Sequence, residues 1–189
     1  MKKPKDYLKL ILEELKKQTT ILETSKMVEM MEDAGIVKEM DLFKLEMKLH
    51  MTPRYLFEEC KKLFPIWIYD ESQLDKITSK RNGNYTIYFK KNIEADQENA
   101  NMSANDLKKR GKQEITLEER LLMEIQYFKE TGKHLDINNI TLCAGSRYSD
   151  GYIPYVCWDA DNRKVFVYWS NLDIHNSHLR ARSAVKIEK

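Results

Sequence analysis

The pattern of apolar residues changes at Pro65, and this change constrains the fold more than any other feature of the sequence. Before Pro65, apolar residues recur at the three- and four-residue spacing of amphipathic helices. After it, they occur in short runs rich in β-branched and aromatic residues, which is typical of strands. The sequence therefore predicts an α+β protein, in which an N-terminal helical part precedes most of the strands.

Four helices are expected before Pro65, each from a capping residue or from a proline in its first turn. Their start signals are, in order, Pro4, Thr24 or Ser25, Asp41, and Thr52 with Pro53. The third helix is expected to carry Leu42, Leu45 and Leu49 on one side. Pro65 itself ends the fourth helix.

The chain divides into three parts on this reading. Residues 1–90 form a helical part that ends in a β-hairpin, with strands at 66–69 and 85–89. Residues 91–114 are nearly all polar and are expected to be a linker or mobile loop, with a short helix near 106–110. Residues 115–189 begin with a helix whose capping box runs from Thr116 to Glu119. After it we expect a three-stranded antiparallel meander at 140–143, 153–159 and 165–169, and a final helix at 177–185.

Charge and cysteine content narrow the function classes only slightly. The 189 residues include 32 basic and 30 acidic side chains, a net charge of +2, which is too small to indicate nucleic-acid binding by itself. Apolar runs are short and interrupted by charges, so neither a signal peptide nor a membrane span is expected. Cys60, Cys143 and Cys157 are odd in number and far apart, which argues against a disulfide framework and favours the cytoplasm.

Residues 47–65, MKLHMTPRYLFEECKKLFP, contain a short turn, a Thr-Pro helix start, a Tyr-Leu pair and a basic-aromatic end. This segment resembles the first helix-turn-helix of AraC-type regulators, and the resemblance implies a helix that meets bases and phosphates in the major groove. The residues in the contacting positions are Thr52, Arg54, Tyr55, Lys61 and Lys62. Four helices followed by two strands is also the element order of a winged helix-turn-helix, which makes Lys80 and Arg81 candidate contacts of the wing with the DNA backbone. The alternative is a helical bundle with a hairpin and a solvated charged loop.

The C-terminal run LDINNITLCAGSRYSDGYIPYVCWDADNRKVFVYW, followed by LRARSAV, is dense in aromatic residues and arginine. Residues 135–185 are similar to uncharacterised small proteins of bacterial phages and mobile elements, a resemblance that implies no known activity. The candidate partner-binding residues are Arg147, Trp158, Trp169, Arg180 and Arg182, which belong to the types that dominate binding hot spots. The alternative is that the aromatic residues fill the core of a small sheet while Arg147 pairs with Asp150.

Signals for chemistry are sparse. The sequence contains no Gly-x-Ser-x-Gly elbow and no phosphate-binding glycine loop, so no catalytic residue and no cofactor are predicted and an enzyme is not favoured. A zinc site built from Cys143, Cys157, His175 and His178 is compatible with the spacing, but no Cys-x-x-Cys pair supports it and no metal is predicted.

Two functions from different classes remain. The first is a DNA-binding regulatory or accessory protein of a phage or mobile element. The second is a protein-binding module, such as a phage-encoded inhibitor of a host defence or replication enzyme. The expected partners are accordingly duplex DNA or a host or phage protein, and the sequence does not indicate an oligomeric state.

Overall fold

The computed structural model describes residues 42–188, and the first two expected helices lie outside the described residues. The described α-helices are α1 (Pro53–Lys61), α2 (Ala104–Arg110) and α3 (Leu117–Thr131). The described strands are β1 (Leu42–Met47), β2 (Ile66–Ile68), β3 (Thr78–Ser79), β4 (Tyr85–Lys90), β5 (Ile140–Leu142), β6 (Ser146–Arg147), β7 (Ile153–Asp159), β8 (Lys164–Ser170), β9 (Leu179–Arg180) and β10 (Lys186–Glu188). Short 3-10 helices at Glu71–Lys76 and Gln97–Asn99 complete the elements of this range, which is an α+β fold.

The first described element, β1, corrects the helix that Asp41 was expected to cap. Phe43, Leu45 and Met47 are buried, while Lys44 and Glu46 between them are exposed. That period of two belongs to a strand with one buried face, and β1 pairs antiparallel with β4 along its whole length. Leu42 and Leu45 happen to be three residues apart, which imitates helical spacing. The turn before α1 therefore follows a strand, whereas a helix-turn-helix needs a helix there.

Strand pairing also corrects the expected hairpin between 66–69 and 85–89. β2 lies at the edge of a five-stranded sheet of order β2-β8-β7-β5-β9, where it pairs parallel to β8. β4 instead forms the centre of a three-stranded sheet of order β1-β4-β10. The two segments thus belong to different sheets and do not form a wing. In the larger sheet β5, β7 and β8 pair antiparallel, and β2 and β9 extend them as parallel neighbours.

Helix α3 holds the two sheets together. Thr116 caps it, with Glu119 returning the capping-box bond, and Gly132 ends it in a left-handed conformation. Most of the helix is buried, and it contacts α1, β1 and β7. Its side chains Leu117, Leu121 and Met123 belong to one core with residues of both sheets. Residues from both sides of the expected boundary at 91–114 therefore share a core.

The segment 91–114 is part of the fold rather than a linker. Ala95, Asn99, Ala104 and Leu107 are buried in it. Helix α2 has its own capping box at Ser103 and a left-handed Gly111 at its end, and it packs on a second apolar cluster that includes Leu142, Ile153 and Leu179. Polar composition was a poor guide here because buried polar groups such as Asn99 find hydrogen-bond partners in the chain near residue 182.

The helix expected at 177–185 is also absent from the structure. Strand β9 and an extended stretch occupy this region, and Ile115 donates a backbone hydrogen bond to the carbonyl of Arg182. The consecutive residues Ala181, Arg182 and Ser183 are all buried, because other segments of the protein, including those at Asn99 and Ile115, pack against this stretch.

Candidate functional site

The basic residues of α1 and its C-terminal end that were expected to contact DNA are paired with acidic side chains. Arg54 donates from Nε to both carboxylate oxygens of Asp75, at 2.8 and 2.6 Å. Lys61 pairs with Glu58 and Glu71, and Lys62 pairs with Glu59. Thr52 accepts the capping hydrogen bond from the backbone N–H of Tyr55. Tyr55 is exposed, with its ring edge-on to that of His50.

The two candidate wing residues have different environments. Arg81 is 11% exposed, and its guanidinium donates two 2.7 Å hydrogen bonds to Glu119 at the start of α3. Tyr85 donates to the same carboxylate. Lys80 is exposed, and its pKa is lowered by partial burial and by the nearby positive charge of Arg147. The Arg81 guanidinium is thus ion-paired with Glu119 of α3, whereas Lys80 lies near the positive charges of Arg147 and Lys108.

Arg182, a candidate partner contact, instead belongs to a buried charge cluster. Its guanidinium donates to Asp136 at 2.7 Å and to the backbone carbonyls of Asn92 and Ile93. The same Asp136 accepts from Arg120, whose guanidinium also donates to Glu124 at 2.6 Å. Burial alone raises the pKa of Asp136, but the charges of Arg182 and Arg120 outweigh this and hold it below its usual value. Sequence reasoning missed this cluster because its members are spread over about 60 residues (120 to 182).

The other partner-binding candidates divide between interior and surface. Trp158 lies on the core side of the larger sheet, with its ring stacked 3.8 Å from that of His134. Arg180 is half-buried beside the carbonyl of Ala95. Arg147 donates to the carbonyls of Ala144 and Ser146, so it holds its own loop rather than pairing with Asp150. Trp169 is half-buried, stacks on Tyr168 and contacts the tilted ring of Tyr152.

Trp169, near the end of β8, belongs to a continuous group of aromatic rings, most of which lie on the face of the larger sheet opposite α3. We call this group the aromatic surface. It consists of Trp67, Tyr69, Tyr155, Phe166, Tyr168 and Trp169. Neighbouring rings in it have centroids 5.0 to 6.5 Å apart. The alternation of strand residues places Trp67, Tyr69, Tyr155, Phe166 and Tyr168 on one face, while Val156, Val165 and Val167 enter the core. Trp169 joins the group through its ring contacts with Tyr69 and Tyr168 near the end of β8.

Helix α2 covers only part of this face. It packs on Leu142 and Ile153, and Tyr155 lies at the border of that contact. Beyond Tyr155, Trp67 is 37% exposed and Tyr69 is 58% exposed. Large aromatic side chains are thus left in solvent next to a part of the same face that a helix buries.

A pocket of about 190 Å³ opens at one end of the aromatic surface. We call it the acidic pocket. It is lined by Tyr69, Asp70, Gln73, Tyr148, Asp150, Tyr152 and Trp169. Asp70 caps the 3-10 helix Glu71–Lys76 by accepting from the backbone of Ser72, and the pKa of its carboxyl is lowered by those bonds. Ser149 donates to Gln73, which joins the loop before β7 to this 3-10 helix. The pocket is therefore built from two connected segments.

The wall of the acidic pocket includes a tyrosine with an unsatisfied polar atom. Tyr148 is 7% exposed, and its hydroxyl has no hydrogen-bond partner among the described residues. Burial and the nearby carboxylates raise the pKa of this phenol, so it is neutral. Asp150 accepts only the N–H of Tyr152 at one carboxylate oxygen, within the described part of the chain.

The larger cleft, of about 500 Å³, lies between the turn before α1 and the segment 77–85. Glu118 at its base has a pKa raised by burial and accepts a 2.8 Å hydrogen bond from Ser79. Ser79 in turn lies 2.6 Å from the hydroxyl of Ser146. These polar groups bond to one another and tie β3 and β6 to the start of α3.

The cysteines and histidines considered for zinc are separated. Cys60 and Cys143 are buried and Cys157 is half-buried, and burial raises the pKa of the Cys157 thiol to about 11. His175 bonds to Asp106, and His178 bonds to the carbonyl of Asn138. Among residues 42–188, no group of three or more His, Cys, Asp or Glu side chains is placed to hold a metal ion.

The chain matches no protein-family profile, no curated protein and no solved structure at a significant level. Within the described range, none of the helices is both long enough and apolar enough to cross a membrane.

Proposed function

We propose that this protein is a protein-binding module that contacts its partner through the aromatic surface. The observation that carries the proposal is the exposure of Trp67 and Tyr69 on a sheet face that α2 covers only in part. Aromatic residues of this size dominate binding hot spots, because they bury a large area at a small cost in side-chain entropy.

The edge of the larger sheet supports an extended partner segment. β2 is an edge strand, and its outer side pairs with no other strand among residues 42–188. The backbone groups of Pro65, Trp67 and Tyr69 are directed to β8, as the bonds from Val165 to Pro65 and from Tyr69 to Val167 require. Those of Ile66 and Ile68 are then directed outward. A partner strand added at this edge lies beside Trp67 and Tyr69, which combines backbone pairing with side-chain recognition.

Photo-crosslinking tests the proposal in cells. A benzoylphenylalanine at position 69 reports on the aromatic surface, and one at position 55 is the control, because Tyr55 is another exposed tyrosine but lies on α1. We expect one protein to crosslink from position 69 and not from position 55. Its purified form should then bind the full chain at least about 30-fold more weakly after Tyr69→Ala, a typical hot-spot effect.

The control variant Tyr55→Ala should leave that affinity unchanged. Equal effects of the two substitutions, or crosslinks from position 55 alone, contradict the proposed surface.

Duplex DNA is the second candidate partner, and the exposed Lys80 near Arg147 and Lys108 is the observation that favours it. Phosphate contacts by these residues would make duplex affinity fall steeply with salt. A salt series on the full chain and on a Lys80→Ala variant tests this. If both proteins bind duplex DNA and their affinities fall with salt at the same slope, Lys80 is not a phosphate contact.

A further inference from the structure

The acidic pocket has the composition of a site for an organic cation. Its wall includes the rings of Tyr69, Tyr152 and Trp169, whose faces attract positive charge. Two carboxylates, from Asp70 and Asp150, line the same space, and neither lysine nor arginine does. The charge of Lys76 lowers the pKa of the Asp70 carboxyl, but less than the hydrogen bonds from Ser72 do. An anionic ligand would meet both carboxylates here, so the electrostatics select a cation.

The unsatisfied atoms specify what kind of cation fits. The buried hydroxyl of Tyr148 has no partner, and the second carboxylate oxygen of Asp150 accepts no hydrogen bond from the described residues. An N–H donor that reaches both would relieve the cost of leaving a buried polar group unbonded. A quaternary ammonium has no N–H to donate, whereas a lysine ammonium has three and an arginine guanidinium has five.

We propose that the acidic pocket binds the charged end of a lysine or arginine side chain from the partner. The N–H groups of this side chain donate hydrogen bonds to Asp150 and Tyr148, and its charged group stacks against Trp169. The inference rests on the proposed function, because the pocket shares Tyr69 and Trp169 with the aromatic surface. It adds a requirement for the partner segment, which must carry a basic residue beside the apolar ones.

Small-molecule probes test the site without knowledge of the partner. N-acetyl-arginine methylamide and N-acetyl-lysine methylamide are titrated into the full chain, and binding is followed by the NMR signal of the Trp169 indole N–H. N-acetyl-citrulline methylamide is the matched control, since its urea group has the shape of guanidinium without the charge. We expect saturable shifts with the two cationic probes and at least about tenfold weaker binding of the citrulline probe.

Two variants assign the effect to the pocket. Asp150→Asn removes the charge and keeps an oxygen that can accept from Tyr152, and Tyr148→Phe removes only the unpartnered hydroxyl. Each should weaken the arginine probe, Asp150→Asn by at least about tenfold, while the thermal midpoint stays near that of the parent. Asp161→Asn, an exposed carboxylate in the turn between β7 and β8, should leave probe binding unchanged.

The results separate this inference from the proposed function. Equal probe affinity in the parent and in both pocket variants overturns the cation site, and if Tyr69→Ala still abolishes partner binding, the proposed function stands. Probe binding that depends on Asp150 supports the site even where crosslinking from position 69 finds no partner and so contradicts the proposed function.

Discussion

At the scale of single residues, the buried cluster around Asp136 connects distant parts of the chain. Through Arg120 and Arg182 it connects α3, the chain at 92–93 and the extended stretch after β9. Arg180 and Arg182 are separated by one alanine and look equivalent in the sequence. Only the tertiary fold distinguishes them: Arg182 follows β9 and donates to Asp136 and to the carbonyls of Asn92 and Ile93, whereas Arg180 lies half-buried beside Ala95. The sequence could not predict which arginine is buried.

Removing Arg182 should therefore unfold the protein more readily than removing Arg180. Arg182→Ala leaves Asp136 buried with one of its two cationic partners lost, and loss of a buried partner typically costs about 3 to 5 kcal/mol. Arg180→Ala deletes a half-buried side chain with one long contact to Ala95 and should cost about 1 kcal/mol or less. Urea denaturation of both variants measures the difference. Similar midpoints for the two variants would mean that the Asp136 cluster contributes little.

At the scale of secondary-structure elements, the order helix-then-strand was only partly predictable. Capping signals located α1 at Thr52-Pro53 and α3 at Thr116 correctly, because capping is a local interaction between residues three positions apart. The β1 strand and the stretch after β9 were misassigned, since their conformation depends on pairing with β4 and on contacts near residue 115. Of the rings in the aromatic surface, Trp169 was identified from the sequence as a binding candidate but Trp67 and Tyr69 were not, because the sequence does not show which face of the sheet stays uncovered. The acidic pocket needed the contact between two segments about 80 residues apart (70 to 150).

The docking of α2 gives a direct test of whether 91–114 is part of the folded domain. Leu107 is fully buried against the second apolar cluster, while Ile93 in the same segment is 48% exposed. Leu107→Ala should lower the free energy of unfolding by about 2 to 5 kcal/mol, as for other buried leucines. Ile93→Ala should change it by about 0.5 kcal/mol or less. If the segment were a mobile loop, both substitutions would be equally harmless, and calorimetric melting temperatures decide between these outcomes.

At the scale of the whole molecule, buried carboxyl groups make stability depend on pH. Burial raises the pKa of Glu114 to about 7, partly offset by a hydrogen bond from Ser183, and burial also raises the pKa of the neighbouring Asp96. Because the folded protein holds the Glu114 proton more tightly than the unfolded chain does, the stabilisation is complete below pH 4.5 and is lost as pH rises through about 7.

The unfolding free energy should therefore fall by a few kcal/mol between pH 5 and pH 8, at about 1.4 kcal/mol for each unit of pKa shift. Glu114→Gln keeps an acceptor for Ser183 without a titrating proton, so its stability should vary less over the same range. Urea denaturation at intervals of pH measures both profiles. Parallel profiles for the parent and the variant would assign the dependence to other groups, with Asp96→Asn as the next substitution to compare.

The pairing of β4 with β10 also bears on how the protein is made. Ile87 of β4 lies opposite Ile187 of β10, so one edge of the middle strand of the smaller sheet cannot pair until a strand 100 residues later has been synthesised. During translation β4 has one open edge, and Asp136 lacks Arg182, until the ribosome has released the last stretch of the domain. Contacts this distant in sequence form slowly and leave strand edges exposed meanwhile. We therefore expect the nascent chain to expose this strand edge until the segment from Arg182 to β10 has been synthesised and has left the ribosome.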